Sequence, residues 1–279
     1  QMLEILPGSN YIIAGDDEID SKVINESAKN GLKAIIKWGI GVDNIDLVAA
    51  KENNVSVYNT PDVFGPEVAE QAISFLLNLT RGTHIINSKV REGIWHKIEG
   101  TSLKDKNVGI IGFGSIGKAI AERLIVFGLK INIFDPFLKK DIDSFSNVSF
   151  KEICESSDFI ILACSLNKDN ENMINKSSIS KMLKTPYIIN VSRGPLINEK
   201  DLVNAMIEGK IKGAALDVFE EEPLSLTSDL ITKTNFILGS HNSSNTFEAV
   251  KKVNDMTIEM VVNFLDTDFP QIYKKCRLV

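Results

Sequence analysis

Three residues in this chain have the types and settings to hold an acid and move a proton. Arg193 follows the apolar run 187–191, within Asn190-Val191-Ser192-Arg193-Gly194-Pro195. Glu222 lies just past the apolar run 213–216, in Leu216-Asp217-Val218-Phe219-Glu220-Glu221-Glu222-Pro223. His241 closes Gly239-Ser240-His241, after the run 236–238. An imidazole exchanges protons near neutrality, and a carboxylate beside it raises its pKa. A guanidinium offers a planar fork to a carboxylate. Singly, each has a plainer reading: Arg193 as a surface charge, residues 220–222 as a solvated acidic run, His241 as a satisfied loop residue. Place joins them. Each follows one of three successive apolar runs, and open parallel sheets bind ligands at the C-terminal ends of their strands. The other two histidines, His84 and His96, fall in helical or loop settings and read as structural.

The strongest local pattern is Val108-Gly109-Ile110-Ile111-Gly112-Phe113-Gly114-Ser115-Ile116-Gly117. It reads as a strand, a GxGxxG turn and a helix. Gly112 permits the tight turn, Gly114 leaves room for a pyrophosphate, and Gly117 lets the helix pack close to the strand. Phosphate charge would meet backbone N–H groups and the positive end of the helix dipole. Alone, such a loop is also an ordinary glycine-rich turn. The next apolar run, 131–134, ends in Asp135, near the spacing of about 20 residues at which an acid takes the ribose hydroxyls and repels a 2′-phosphate. The expected cofactor is therefore NAD rather than NADP. A turn role before Pro136 is the alternative for Asp135. With a nicotinamide in place, the trio has a chemistry. Hydride transfer to or from an alcohol needs an acid/base, a cation to hold and polarise the substrate, and a group that tunes the acid/base.

Apolar runs also occur at 11–14, 33–36, 55–58, 108–111 and 159–163, and several are apolar throughout. Such strands are buried on both faces, as in a parallel sheet covered by helices. Alternation with helical stretches predicts an α/β protein with doubly wound, Rossmann-like sheets. Helices are expected at 66–81, buried nearly all round, at 116–127, at 198–208 with Asn198 at its start and Gly209 as its stop, and at 247–265. Breaks near Pro61 and at 241–246 divide the chain into a nucleotide domain, 62–241, inserted into a second domain made of 1–61 and 242–279. The chain starts at Gln1 and enters an apolar run at Tyr11, so residues upstream are expected to be missing.

Composition narrows the function classes. The 279 residues are 43% hydrophobic and 24% charged, which excludes disorder. A net charge of −6 argues against a general nucleic-acid binder. No apolar run approaches the roughly 20 residues that span a bilayer. Three Cys without a CxxC, and no export signal, point to the cytoplasm.

At these residues the chain resembles the D-isomer-specific 2-hydroxyacid dehydrogenases, especially the phosphoglycerate dehydrogenase-like branch. The resemblance runs in family order through Gly39-Ile40-Gly41-Val42-Asp43-Asn44-Ile45-Asp46, Asn59-Thr60-Pro61, the glycine loop with Asp135, 190–195, 215–223 and the His241 loop. It implies His241 as acid/base with Glu222 as its partner, and Arg193 on the substrate carboxylate and carbonyl. It implies the backbone of Ile40 and Gly41 on the same carboxylate, and Ser115 and Ile116 N–H groups on the pyrophosphate. Cys164, Val191, Ser192 and Asp217 would line the cofactor, Asp217 toward the carboxamide, in a cleft between two domains. It further implies a homodimer joined through the nucleotide domain, around helix 66–81 and Trp95. Two departures bear on the substrate. His241 is followed by Asn242-Ser243-Ser244 where many relatives carry an apolar residue and glycines, and Ala14 stands where phosphoglycerate-specific relatives tend to carry Arg. Lys37 remains beside the 39–46 loop, either for an acidic group or solvated. The substrate expected is a small D-2-hydroxy or 2-keto acid, 3-phosphoglycerate or a related acid among them. The rival reading is a non-enzymatic NAD(H)-sensing scaffold of the same fold.

Overall fold

A computed structural model describes residues 6, 8–138, 142, 145–233, 235–265 and 271–279. The chain forms two compact units, one of residues 1–64 with 245–279 and one of residues 65–244. In the smaller unit, β1 (Tyr11–Ala14), β2 (Ala34–Lys37) and β3 (Ser56–Tyr58) make a parallel sheet in that order. Helices α1 (Ser21–Lys29) and α2 (Leu47–Glu52) form the crossovers. Both are capped by an aspartate: Asp20 accepts from the Val23 N–H, and Asp46 from those of Val48 and Ala49. All four residues of β2 are buried, including Lys37.

The larger unit begins with α3 (Gly65–Arg81) and α4 (Thr83–Arg91). Then come β4 (Asn107–Ile111), α5 (Ser115–Leu124), β5 (Lys130–Phe134), β6 (Ser146–Asn147), α6 (Phe150–Ser156) and β7 (Phe159–Leu162). The second half holds α7 (Lys176–Ile179), β8 (Tyr187–Asn190), α8 (Glu199–Ile207), β9 (Gly213–Leu216) and β10 (Phe236–Leu238). The sheet is parallel throughout, in the order β10-β9-β8-β7-β4-β5-β6. The winding reverses at β4, so the crevice for a ligand opens beyond the C-terminal ends of β4, β5 and β7. β7 reads FIIL with every residue buried, as the uninterrupted apolar runs predict.

Helix α3 departs from the expectation of all-round burial. Val68, Ala69, Ala72, Phe75, Leu76 and Leu79 are buried, whereas Pro66, Glu70, Ser74 and Arg81 are exposed. The first three recur every four residues and Arg81 follows seven later, which is one helical face, so α3 is amphipathic. The helix expected at 116–127 tightens into a 3-10 turn at Ile125–Phe127 before Gly128, whose backbone is left-handed at φ 71°. Asn198 caps α8 through the Asp201 N–H, as the spacing predicts.

Candidate active site

The glycine loop does what its spacing implies. Gly112 turns sharply at φ 90°, and a Cβ there would lie 2.6 Å from the Cys164 Cα. A Cβ on Gly117 would lie 2.0 Å from the Gly112 carbonyl oxygen, so α5 meets the loop at backbone distance. Gly114 has nothing within 4 Å of that position. It precedes α5 without a side-chain cap, which leaves the N–H groups of Ser115 and Ile116 at an open helix start. A cavity of about 770 Å³ opens at this edge, lined by Gly112, Gly114, Asp135, Phe137, Cys164 and Asn170 among others.

Asp135 is held from several directions. Its Oδ2 accepts the Phe113 N–H at 2.9 Å and its Oδ1 the Phe137 N–H at 2.9 Å. The Asn147 amide brackets its backbone, accepting from the Asp135 N–H at 3.0 Å and donating to its carbonyl at 3.1 Å. Asn147 lies in a two-residue strand too short to show any periodicity, and the sequence reading missed it. Burial pushes the Cys164 thiol up to about 11, with its own backbone lowering it and the Asp135 charge raising it. Cys164 is thus a neutral wall of the cavity, not a nucleophile.

The catalytic candidates gather at the other half of the same sheet, beyond β8, β9 and β10. His241 Nδ1 meets Glu222 Oε2 at 2.7 Å. Glu222 Oε1 accepts the Phe219 N–H at 2.9 Å. Burial pushes the Glu222 carboxyl up. The hydrogen bonds from His241 and Phe219, with the charges of His241 and Arg193, outweigh it and hold the group below its ordinary value. Arg193 therefore shares the field of the pair.

Backbone anchors fix both partners. Asn190 is 1% exposed; its Oδ1 accepts the Ser192 N–H at 3.1 Å and its Nδ2 donates to the Arg193 carbonyl at 2.8 Å. The Ser192 hydroxyl donates to the Cys164 carbonyl, tying the Arg193 turn to the loop that follows β7. Asp217 is 2% exposed, and its two oxygens accept the N–H groups of Asn242 at 3.1 Å and Ser243 at 2.7 Å. The His241 N–H donates to the Asp217 carbonyl at 2.7 Å. Asp217 thus pins the loop that presents the imidazole, a task the sequence reading did not assign to it. His241 itself has left-handed backbone at φ 55°. Asn190 opens the segment 190–195, but only its burial reveals its work.

Of the remaining candidates, Val191 is buried beside the Arg193 turn, whereas Ser115 and Ile116 are half-buried at the helix start. Ile40 and Gly41 belong to the smaller unit, in a loop where Asn59 Nδ2 donates to the Ile40 carbonyl at 2.9 Å. The neighbouring Gly39 exchanges hydrogen bonds with Thr60, giving its N–H to the hydroxyl at 2.9 Å and accepting the Thr60 N–H at 3.0 Å.

The open glycine, the close backbone packing and an anchored acid at a roomy cavity fit a dinucleotide. Comparison with known proteins agrees. Residues 73–243 match the model of the D-isomer specific 2-hydroxyacid dehydrogenase, NAD binding domain. A hydroxypyruvate reductase of Thermotoga maritima is 34% identical over 94% of this chain and 86% of its own length. A D-3-phosphoglycerate dehydrogenase of Methanocaldococcus jannaschii is 35% identical over 95% of this chain, but only 51% of its own length. Among solved structures, an NAD-dependent formate dehydrogenase of Staphylococcus aureus in complex with NAD has a TM-score of 0.90 at 30% identity. It covers 100% of this chain and 85% of that one. Glyoxylate and hydroxypyruvate reductase names recur most often among the curated relatives.

Proposed function

Since the chain belongs to the D-isomer-specific 2-hydroxyacid dehydrogenase family and is a nicotinamide-dependent oxidoreductase, we propose that it reduces a small 2-keto acid at C2, with glyoxylate or hydroxypyruvate as the leading substrates. The 2.7 Å pair of His241 and Glu222 in the field of Arg193 carries this reading. The names of the relatives favour these acids over 3-phosphoglycerate, and Ala14 supplies no charge for a phosphate.

The dinucleotide, when bound, supplies or takes the hydride. Gly112, Gly114, Gly117 and the N–H groups of Ser115 and Ile116 hold its phosphates, and Asp135 holds its ribose and disfavours a 2′-phosphate. Cys164, Val191 and Ser192 complete the cofactor's surroundings. Arg193 binds the substrate carboxylate and polarises the carbonyl oxygen, where charge develops. The imidazolium of His241 delivers a proton to the developing alkoxide, and Glu222 orients the ring and stabilises its charged form.

Two copies pair through the larger unit. Helix α4 buries none of its residues, and Val90, Ile94 and Trp95 leave an apolar surface, with Trp95 83% exposed. The three unpaired cysteines suit a reducing compartment such as the cytoplasm.

A panel of 2-keto acids with formate and 3-phosphoglycerate, followed by nicotinamide absorbance, tests the reading. Turnover is expected with glyoxylate or hydroxypyruvate and NADH. Silence across the panel overturns it.

A further inference from the structure

Two more carboxylates grip the turn that carries Glu222. The Glu220 N–H donates to Glu199 Oε1 at 2.7 Å, and the Glu199 N–H donates to Glu220 Oε1 at 2.8 Å. Each residue binds the other's backbone with its own side chain. Glu199 is the first residue of α8, where Asn198 already serves the Asp201 N–H at 3.0 Å. Glu220 therefore satisfies a second N–H of a helix start that favours anions. The turn is also pressed against the Arg193 turn, because a Cβ on Gly194 would lie 1.8 Å from the Phe219 carbonyl oxygen. The next N–H, that of Phe219, donates to Glu222 Oε1 at 2.9 Å. Hydrogen bonds and one short stretch of backbone thus join Glu199 to His241.

Resting on the acid/base role of His241 read above, we propose that Glu199 and Glu220 are positioning residues. Their reciprocal bonds lock the turn 217–222 onto α8 and thereby set the Glu222–His241 contact, although neither residue contacts the imidazole. What the clamp requires is an acceptor at Oε1, not a charge. Burial pushes the Glu199 carboxyl up, and the nearby charges of Glu220 and Glu222 push it further against the lowering effect of the Glu220 N–H. An amide at residue 199 keeps an oxygen acceptor at the same place for the Glu220 N–H.

The test measures the His241 imidazole titration by NMR, steady-state turnover and Tm in the full chain. It compares wild type with Glu199→Ala, Glu199→Gln, Glu220→Ala and, as the reference for a lost partner, Glu222→Gln. Either alanine variant is expected to move the His241 titration down toward that of Glu222→Gln and to cut kcat roughly 10-fold. KM for NADH should stay within about two-fold, because the cavity lies at the other half of the sheet. Glu199→Gln should keep the wild-type titration and at least about half of the wild-type kcat. The proposal is overturned if both alanine variants lower Tm alone, or if Glu199→Gln behaves like Glu199→Ala. Should one alanine variant fail to fold, the other removes the reciprocal bond of the clamp from the opposite side. If wild type reduces no acid, the His241 titration still decides the clamp, and that failure counts against the activity instead.

Discussion

The two halves of the large sheet are built on different logic. Beyond β4, β5 and β7, the cofactor edge is shaped first by backbone, with Gly112 and Gly117 where a side chain would collide with a neighbouring loop or a carbonyl and Gly114 left open, while Asp135 and Asn147 hold its rim. Beyond β8, β9 and β10, the catalytic edge is shaped by side chains, with Asn190, Asp217, Glu199 and Glu220 each spending polar atoms on loop N–H or C=O groups. The first edge makes room. The second removes freedom, so that three groups from separate loops keep one geometry.

Substitutions can separate these roles. The largest effect is expected from His241→Gln, which should lower kcat by about 10²- to 10⁴-fold. NADH affinity, read by nicotinamide fluorescence, should stay within about two-fold. A parallel collapse of NADH affinity would break the distinction between the edges. Next, Glu222→Gln should displace the pH profile. Reduction needs the imidazolium, so its rate falls as pH rises through the His241 pKa. Loss of the carboxylate brings that fall to lower pH, by about one unit. In wild type, the depressed pKa of Glu222 keeps it ionised through the neutral range, and the pair is lost only as pH drops through that lowered value. A smaller change is expected from Asp135→Ala. The preference for NAD over NADP should narrow roughly ten-fold, the equivalent of ~1.4 kcal/mol. An unchanged ratio of kcat/KM values would remove Asp135 from cofactor choice.

The same contrast explains what the sequence revealed. The glycine loop was legible because its constraints are local: a tight turn, an open position and a close approach fall within six residues. The parallel sheet was legible because buried strands such as β7 carry no polar residue. The candidate trio could be nominated only because each member follows a strand, and the 2.7 Å contact of His241 with Glu222 emerged from the fold. Its supports were less visible. Asn147 and Glu199 act on residues 9 to 21 positions away, and neither interrupts an apolar pattern. The resemblance places Asp217 at the cofactor, and its buried oxygens also serve the next loop. Helix α3 misled because Ile73 and Leu77, half-buried on its flanks, widen an apolar stripe that still covers only part of the helix.

The backbone of His241 has a consequence for how this protein changes over generations. Its φ of 55° lies where a residue other than glycine is strained, at a cost on the order of 1–3 kcal/mol. Glycine and asparagine accept that conformation more readily, and either would erase the proposed acid/base. Asparagine, one base change away from a histidine codon, would therefore abolish turnover while relaxing the chain. Selection for abundance and selection for catalysis pull in opposite directions there, and a lineage released from the second would be drawn toward a sturdier, silent protein.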